Sequence, residues 1–63
     1  MNNPIMQHFT FRHLPHDLQV ISEPFCDLAE SMMRQLPDGP EKSAGLRKLL
    51  EAKDCAVRAF LSK

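Results

Sequence analysis

The sequence predicts an all-α fold: an antiparallel helical hairpin, preceded by an N-terminal arm or short helix, that assembles into a homo-oligomer. Apolar residues recur at three-and-four spacing in two long segments, and a turn rich in proline and glycine separates them. The chain has 63 residues, and a two-helix hairpin of this size buries too little apolar surface to be stable alone. We expect one domain, with an arm at residues 1–16, a first helix at 17–36 and a second helix at 39–62.

The arm lacks helical periodicity. Phe9 and Phe11 flank Thr10 in the manner of a short strand, but Pro15 ends the pattern and the chain offers no second strand to pair with it. We therefore expect an extended arm that lies across the helices. Residues 1–7 are polar and irregular, and we expect them to be mobile.

Pro24 interrupts the first helical segment. Inside a helix, a proline removes a backbone hydrogen bond and costs about 3 kcal/mol. One alternative is that Ser22 caps a new helix and places Pro24 in its first turn. The other is a kink or a short break, which is favoured because the apolar positions on both sides keep nearly one helical face. Those positions are Leu18, Ile21, Phe25, Leu28, Met32 and Leu36.

The second helix begins at a turn with a clear chemical pattern. Asp38 and Glu41 resemble a capping pair, and Pro40 suits the first helical turn, where no intrahelical donor is needed. The helix is long for so small a chain, so a lone hairpin would leave part of its apolar face in water. Opposite charges four residues apart are expected to pair on its surface: Arg47 with Glu51, and Asp54 with Arg58.

The cysteines and the hydropathy pattern bear on the compartment. Cys26 and Cys55 lie in different helical segments and do not face each other closely in a simple hairpin, so we expect two small buried side chains and no disulfide. No stretch resembles a secretory signal, and no apolar run approaches the length of a membrane span. We therefore expect a soluble, cytoplasmic protein with no membrane partner.

The net charge is zero, but the charges are unevenly distributed. From Asp38 onward six Lys or Arg residues outnumber four acidic residues, and the preceding part carries the matching deficit. This balance disfavours long nucleic acid as a partner, whereas a local cluster of cations could hold a small phosphate-bearing ligand. Arg47 and Lys48, near the start of the second helix, form either a solvated face or such a phosphate clamp.

Catalytic chemistry has little support in the sequence. The histidines His8, His13 and His16 match no zinc-ligand spacing, and the serines have neither a nucleophile elbow nor a base pattern nearby. The chain also lacks a glycine-rich phosphate loop. We expect a protein that is not an enzyme, with no catalytic residues, no metal and no cofactor.

The aromatic residues of the arm need a surface to cover. Phe9 and Phe11 either staple the arm to the hairpin or stack on nucleobases, with Arg12 supplying a phosphate contact. The two alternatives stay open from the residues alone.

Three motifs resemble the small phage helical-hairpin proteins that counter CBASS and Thoeris immunity: FTFRHLP at 9–15, LPD at 36–38 and EKSAGLRKLLEA at 41–52. The resemblance spans nearly the whole chain after residue 8. It implies a homo-oligomer, commonly a hexamer, that binds cyclic di- or trinucleotide second messengers or related adenine-containing messengers. Proteins of this family act as sponges, because they sequester the messenger without cleaving it. For a phage-encoded protein, the location implied is the host bacterial cytoplasm.

The resemblance also implies roles for particular residues. The family's N-terminal aromatic, which stacks on ligand bases, falls on Phe11, with Phe9 beside it. Its second-helix polar positions, which hold a cyclic trinucleotide where copies meet, fall near Ser43 and Arg47. Some relatives bind the phosphates of cyclic dinucleotides with a lysine in the first helix. Cys26 stands in that region here, so the dinucleotide pocket departs from the family's pattern.

The sequence therefore predicts a phage or prophage anti-defence protein that sequesters cyclic oligonucleotide immune messengers. Its expected ligand-binding residues are Phe9, Phe11, Arg12, Ser43, Arg47 and Lys48. The alternative is an oligomeric helical protein-interaction module with no nucleotide ligand.

Overall fold

A computed structural model describes residues 4–62, and within that range the fold is entirely helical. A 3₁₀ helix, Pro4–Phe9, precedes helix α1 at His16–Gln35 and helix α2 at Pro40–Leu61. The two long helices pack against each other as an antiparallel hairpin, with Met32 near the end of α1 against Gly45 near the start of α2. The predicted all-α helical hairpin is confirmed. Assembly into an oligomer stays a prediction.

The arm folds differently from the extended segment expected. Pro4–Phe9 forms a 3₁₀ helix, so the alternative of a short N-terminal helix is the one observed, while residues 1–3 lie outside the described part. The Thr10 hydroxyl donates a hydrogen bond to the Gln7 carbonyl at 3.0 Å, which closes the end of this helix. A 3₁₀ turn satisfies its own backbone groups locally, which an unpaired strand cannot do.

Helix α1 continues through Pro24 without a break into two helices. Its N-cap is Pro15, whose carbonyl accepts hydrogen bonds from the amides of Leu18 at 3.0 Å and Gln19 at 2.9 Å. The alternative in which Ser22 caps a new helix is therefore wrong. Ser22 is fully buried in the helix interior, and its Oγ has no hydrogen-bond partner among the described residues. Packing of the apolar face against α2 keeps the helix continuous despite the bond lost at Pro24.

Helix α2 begins at Gly39 as N-cap, with Pro40 in the first turn as predicted. The expected capping pair of Asp38 and Glu41 is wrong, because no side chain caps this helix. Asp38 instead accepts a 3.0 Å hydrogen bond and ion pair from the ammonium of Lys42, one turn into α2. A cation this close competes successfully with the backbone amides for the carboxylate.

Lys42 joins the two helices at their connection. Its side chain is almost fully buried, and its Nζ also donates to the carbonyls of Met33 at 3.2 Å and Leu36 at 3.1 Å. Carbonyls in the last turn of a helix have no intrahelical partner. The Lys42 ammonium thus supplies hydrogen-bond donors to carbonyls at the C-terminal end of α1, where the helix dipole also favours a cation.

The hydrophobic core is small and lies where the arm crosses the two helices. Its buried members are Phe9, Phe11, Cys26, Ala29 and Leu46. Four large apolar side chains remain substantially exposed. They are Val20, Leu28, Leu36 and Leu61.

Two expectations about surface residues of α2 are wrong. Among residues 4–62 the ion pairs are Lys42 with Asp38 and Lys53 with Asp54, so the expected pairs along α2, Arg47 with Glu51 and Asp54 with Arg58, do not form. Exposed pairs of this kind contribute only about 0.2–0.5 kcal/mol, so solvation of the side chains competes easily.

The two cysteines differ in their surroundings. Cys26 is buried as predicted, whereas Cys55 is exposed, and both are free thiols. Within residues 4–62, neither long helix contains an apolar stretch that could cross a membrane.

We predict that Lys42→Met destabilises the hairpin. The substitution keeps the buried stem but leaves the carbonyls of Met33 and Leu36 without a donor, and this should lower the free energy of unfolding by about 1–3 kcal/mol. Urea unfolding followed by circular dichroism measures the loss. The matched control, Lys48→Met, changes an exposed lysine of the same helix and should alter stability by less than about 0.5 kcal/mol. Equal losses in the two variants would contradict the role of Lys42.

Ser22→Ala provides a second test of the fold. Removing an unpaired buried hydroxyl should leave the free energy of unfolding unchanged or raise it by up to about 1 kcal/mol. An N-capping serine would behave in the opposite way, because its loss costs about 1 kcal/mol. Thermal unfolding of Ser22→Ala beside the wild type distinguishes the two.

Candidate functional site

A cavity of about 430 Å³ lies between the end of the arm and the middle of helix α1. Its volume falls within the range typical of small-molecule sites, roughly 300–1,000 Å³. The arm supplies one wall and α1 the other. The lining residues are Thr10, Phe11, Arg12, His13, Glu23, Cys26, Asp27 and Glu30.

The arm wall is an aromatic ring with a guanidinium over it. The Arg12 guanidinium carbon lies 5.2 Å from the centroid of the Phe11 ring, which is the geometry of a cation–π contact. The ring itself is largely buried, with 8% of Phe11 exposed, so the exposed part of this wall consists of Thr10, Arg12 and His13. The core contacts of Phe11 therefore fix the ring on which the exposed arginine lies.

Hydrogen bonds from α1 fix the backbone of this wall. The Gln19 side-chain amide donates to the Leu14 carbonyl at 2.8 Å and to the Arg12 carbonyl at 3.3 Å. The Leu14 amide also donates to the Phe11 carbonyl at 3.0 Å, which closes a turn around the cavity mouth. The segment that carries Phe11 and Arg12 is thus tied to the helix that forms the opposite wall.

The helix wall is acidic. Glu23, Asp27 and Glu30 follow one another at spacings of four and three residues along α1, which places them on one face of the helix. The Cys26 thiol lies among them and donates to Glu30 Oε2 at 3.7 Å. Three carboxylates therefore face one guanidinium across the cavity.

The same surroundings control the Cys26 thiol. Burial raises the pKa of Cys26 above its ordinary value, and the negative charge and hydrogen bond of Glu30 raise the pKa further. The thiolate is the reactive form of cysteine, so Cys26 is held in its unreactive thiol form at neutral pH.

The predicted site residues of the arm separate into two environments. Phe11 and Arg12 line the cavity, whereas Phe9 is fully buried in the core. For Phe9 the structure matches the first alternative, in which the ring staples the arm to the hairpin. Lys53 of α2 reinforces this staple, because its Nζ lies 5.9 Å from the centroid of the Phe9 ring and donates to the His8 carbonyl.

The predicted site residues of α2 form a separate set. Ser43, Arg47 and Lys48 are all exposed, and none of them lines the cavity. Within residues 4–62, Arg47 and Lys48 have no ion-pair partner. One protomer therefore brings Phe11 together with Arg12 but does not bring either of them to the exposed face of α2.

Sequence reasoning missed the three cavity carboxylates. The signal was present in the excess of acids in the first half of the chain and in the regular spacing of Glu23, Asp27 and Glu30. What the spacing does not reveal is which face of α1 the arm covers. Among the described residues, no group of His, Cys, Asp and Glu side chains is arranged to hold a metal ion.

No protein-family model matches the chain, and no curated protein or solved structure is significantly similar to it. The resemblance to the family of messenger sponges therefore stays a prediction that depends on the three motifs quoted above.

We predict that the two thiols react at very different rates with iodoacetamide near neutral pH. The exposed Cys55 should be alkylated at least about tenfold faster than Cys26, which is buried and has a raised pKa. Peptide mass spectrometry after timed quenching measures both rates. Unfolding in urea should make the rates similar, and similar rates in the folded protein would contradict the buried position of Cys26.

Proposed function

We propose that this protein is a phage or prophage anti-defence protein that binds cyclic oligonucleotide immune messengers and sequesters them without cleaving them. The observation that carries the proposal is the Arg12 guanidinium held over the Phe11 ring at the mouth of a ligand-sized cavity. A cyclic oligonucleotide combines phosphates with planar bases. A guanidinium can donate hydrogen bonds to the phosphates and can stack on the bases.

The arm provides a prearranged contact for such a ligand. Side chains that must be ordered on binding reduce affinity, and the buried ring of Phe11 gives the exposed Arg12 a fixed surface to lie on. The hydrogen bonds from Gln19 hold the backbone of the arm wall at Arg12 and Leu14. This rigidity supports binding at the arm, with Phe9 contributing as an anchor of the arm rather than by touching the ligand.

The exposed face of α2 supplies a second set of contacts. Arg47 and Lys48 have no ion-pair partner in the described part of the chain, and Ser43 lies one helical turn before Arg47. Charge-assisted hydrogen bonds from unpaired cations are among the stronger polar contacts available to a phosphate. In the family that the sequence resembles, this face holds cyclic trinucleotides where copies meet, so we propose that it does so here in a homo-oligomer, commonly a hexamer in that family.

Sequestration requires binding alone. Each bound messenger is removed from the free pool by mass action, so the protein's concentration and its affinity for the messenger set the degree of protection. A sponge therefore returns its ligand chemically unchanged, whereas a hydrolase does not.

We predict that the two sets of cations serve different ligands. In isothermal titration against cyclic di- and trinucleotides, Arg12→Gln should weaken dinucleotide binding, and Arg47→Gln should weaken trinucleotide binding. Each loss should be about tenfold or more, the effect of removing one hydrogen bond to a charged group. The matched control is Arg34→Gln, which changes an exposed arginine outside both sets. Denaturation of the complex should release intact messenger, and light scattering should show an oligomer.

An absence of heat with every cyclic di- and trinucleotide, measured on an intact oligomer, would overturn the proposal. Recovery of cleaved messenger would overturn the sponge mechanism but would still support a cyclic oligonucleotide as the ligand.

The second candidate function is a helical protein-interaction module. The observation that favours it is the exposure of Val20 and Leu28, which are 57% and 51% exposed on helix α1. Singly exposed apolar residues are ordinary, whereas a contiguous exposed patch marks an interface, so this candidate requires that Val20 and Leu28 contribute to one patch. This candidate requires that Arg47→Gln keep the protein's function while polar substitutions of Val20 and Leu28 abolish it.

A further inference from the structure

We propose that the cavity between the arm and α1 receives a base of the cyclic messenger and selects guanine through the carboxylates of α1. This inference rests on the proposed function and specifies which ligand the arm site prefers. The cavity is not simply a cationic phosphate pocket, because three of its lining side chains are acidic.

The charges of the cavity are divided between its walls. Arg12 lies on the arm, and Glu23, Asp27 and Glu30 lie on the helix opposite. A phosphate placed against the helix wall would face three exposed carboxylates, and like charges at such short range repel each other even in water. A phosphodiester ring therefore lies towards Arg12, and the group that reaches the helix wall must be a hydrogen-bond donor.

The carboxylates of the helix wall have unused acceptor capacity. Glu30 accepts the thiol hydrogen of Cys26, whereas Glu23 and Asp27 have neither a hydrogen bond nor an ion pair to any of the described residues. A carboxylate accepts through two oxygens and donates nothing. The helix wall therefore selects for a ligand edge with adjacent N–H groups.

Among the common bases, guanine offers that edge most directly. Its N1–H and the N2 amino group lie side by side and point in the same direction, so both can bond the two oxygens of one carboxylate. On adenine the amino group stands beside ring-nitrogen acceptors, and on uracil the single N–H lies between two carbonyls. The ring nitrogens of adenine and the carbonyl oxygens of uracil would be repelled by a carboxylate that faces them. The helix wall thus discriminates bases by the pattern of donors, as side chains do when they read nucleic acids.

Titration of one set of ligands with a constant backbone tests this inference. Cyclic di-GMP, cyclic di-AMP and cyclic di-UMP share the phosphodiester ring and differ in the base. The wild-type protein should bind cyclic di-GMP at least about tenfold more tightly than the other two, the discrimination expected of one good bidentate contact.

Variants of the helix wall then assign the preference to the carboxylates. Asp27→Asn and Glu23→Gln keep the size of the side chain but replace one acceptor with a donor, and at least one of them should reduce the preference for cyclic di-GMP to about threefold or less. The matched control, Glu51→Gln, changes an exposed carboxylate of α2 that does not line the cavity, and should keep the preference. Circular dichroism confirms that each variant retains the helical fold.

The outcomes separate this inference from the proposed function. Equal affinity of the wild type for the three dinucleotides, or binding of trinucleotides alone, would overturn the guanine preference and leave the sponge in place. A preference that persists in the double variant Glu23→Gln/Asp27→Asn would overturn the role of these two carboxylates. No binding of any cyclic di- or trinucleotide would overturn both proposals.

Discussion

The buried ammonium of Lys42 is the interaction on which the rest of the structure depends. A hairpin of two long helices needs its connection to be fixed, and the last turn of α1 leaves carbonyls without donors. Lys42 donates to the carbonyls of Met33 and Leu36 and to the carboxylate of Asp38, so one side chain holds the end of α1, the turn and the start of α2. The burial of the lysine stem and the hydrogen bonds of its head act together, because a buried ammonium is tolerated only when its donors are satisfied. With the turn fixed, Leu46 of α2 is buried in the same small core as Ala29 of α1.

The arm completes that core and creates the candidate site as a consequence. Phe9 fills the core, and Lys53 holds the preceding carbonyl of His8, so the chain leaves the 3₁₀ helix at a fixed position. The segment that follows must then cross the acidic face of α1, where Gln19 binds its backbone. The cavity is the space left between this segment and the helix. Its opposed charges arise because the arm carries Arg12 while the neighbouring exposed face of α1 carries carboxylates.

The remaining surfaces explain why a second copy is expected. Within residues 4–62, the cations Arg47 and Lys48 have no ion-pair partner, and Val20 and Leu28 keep more than half of their surface exposed. Solvent accommodates exposed cations and single exposed apolar residues in one protomer, and the proposed assembly would bury the apolar residues and bring cations of several copies together. The two proposed contact sets, at the arm and on α2, are separate in one protomer.

The sequence by itself determined the two helices, the turn between them and the position of Pro40, because periodicity and turn chemistry act over a few residues. It also indicated Phe11 and Arg12 among the candidate ligand-binding residues, although not that they contact each other. Tertiary structure alone decided the continuity of α1 through Pro24, the burial of Ser22 and Phe9, and the pairing of Asp38 with Lys42. It also decided that the arm lies beside the face of α1 that bears Glu23, Asp27 and Glu30, whose side chains stay exposed. These outcomes depend on which helix faces are buried and on which donors reach the carbonyls that have no partner within their helix. Contacts between segments distant in sequence decide both.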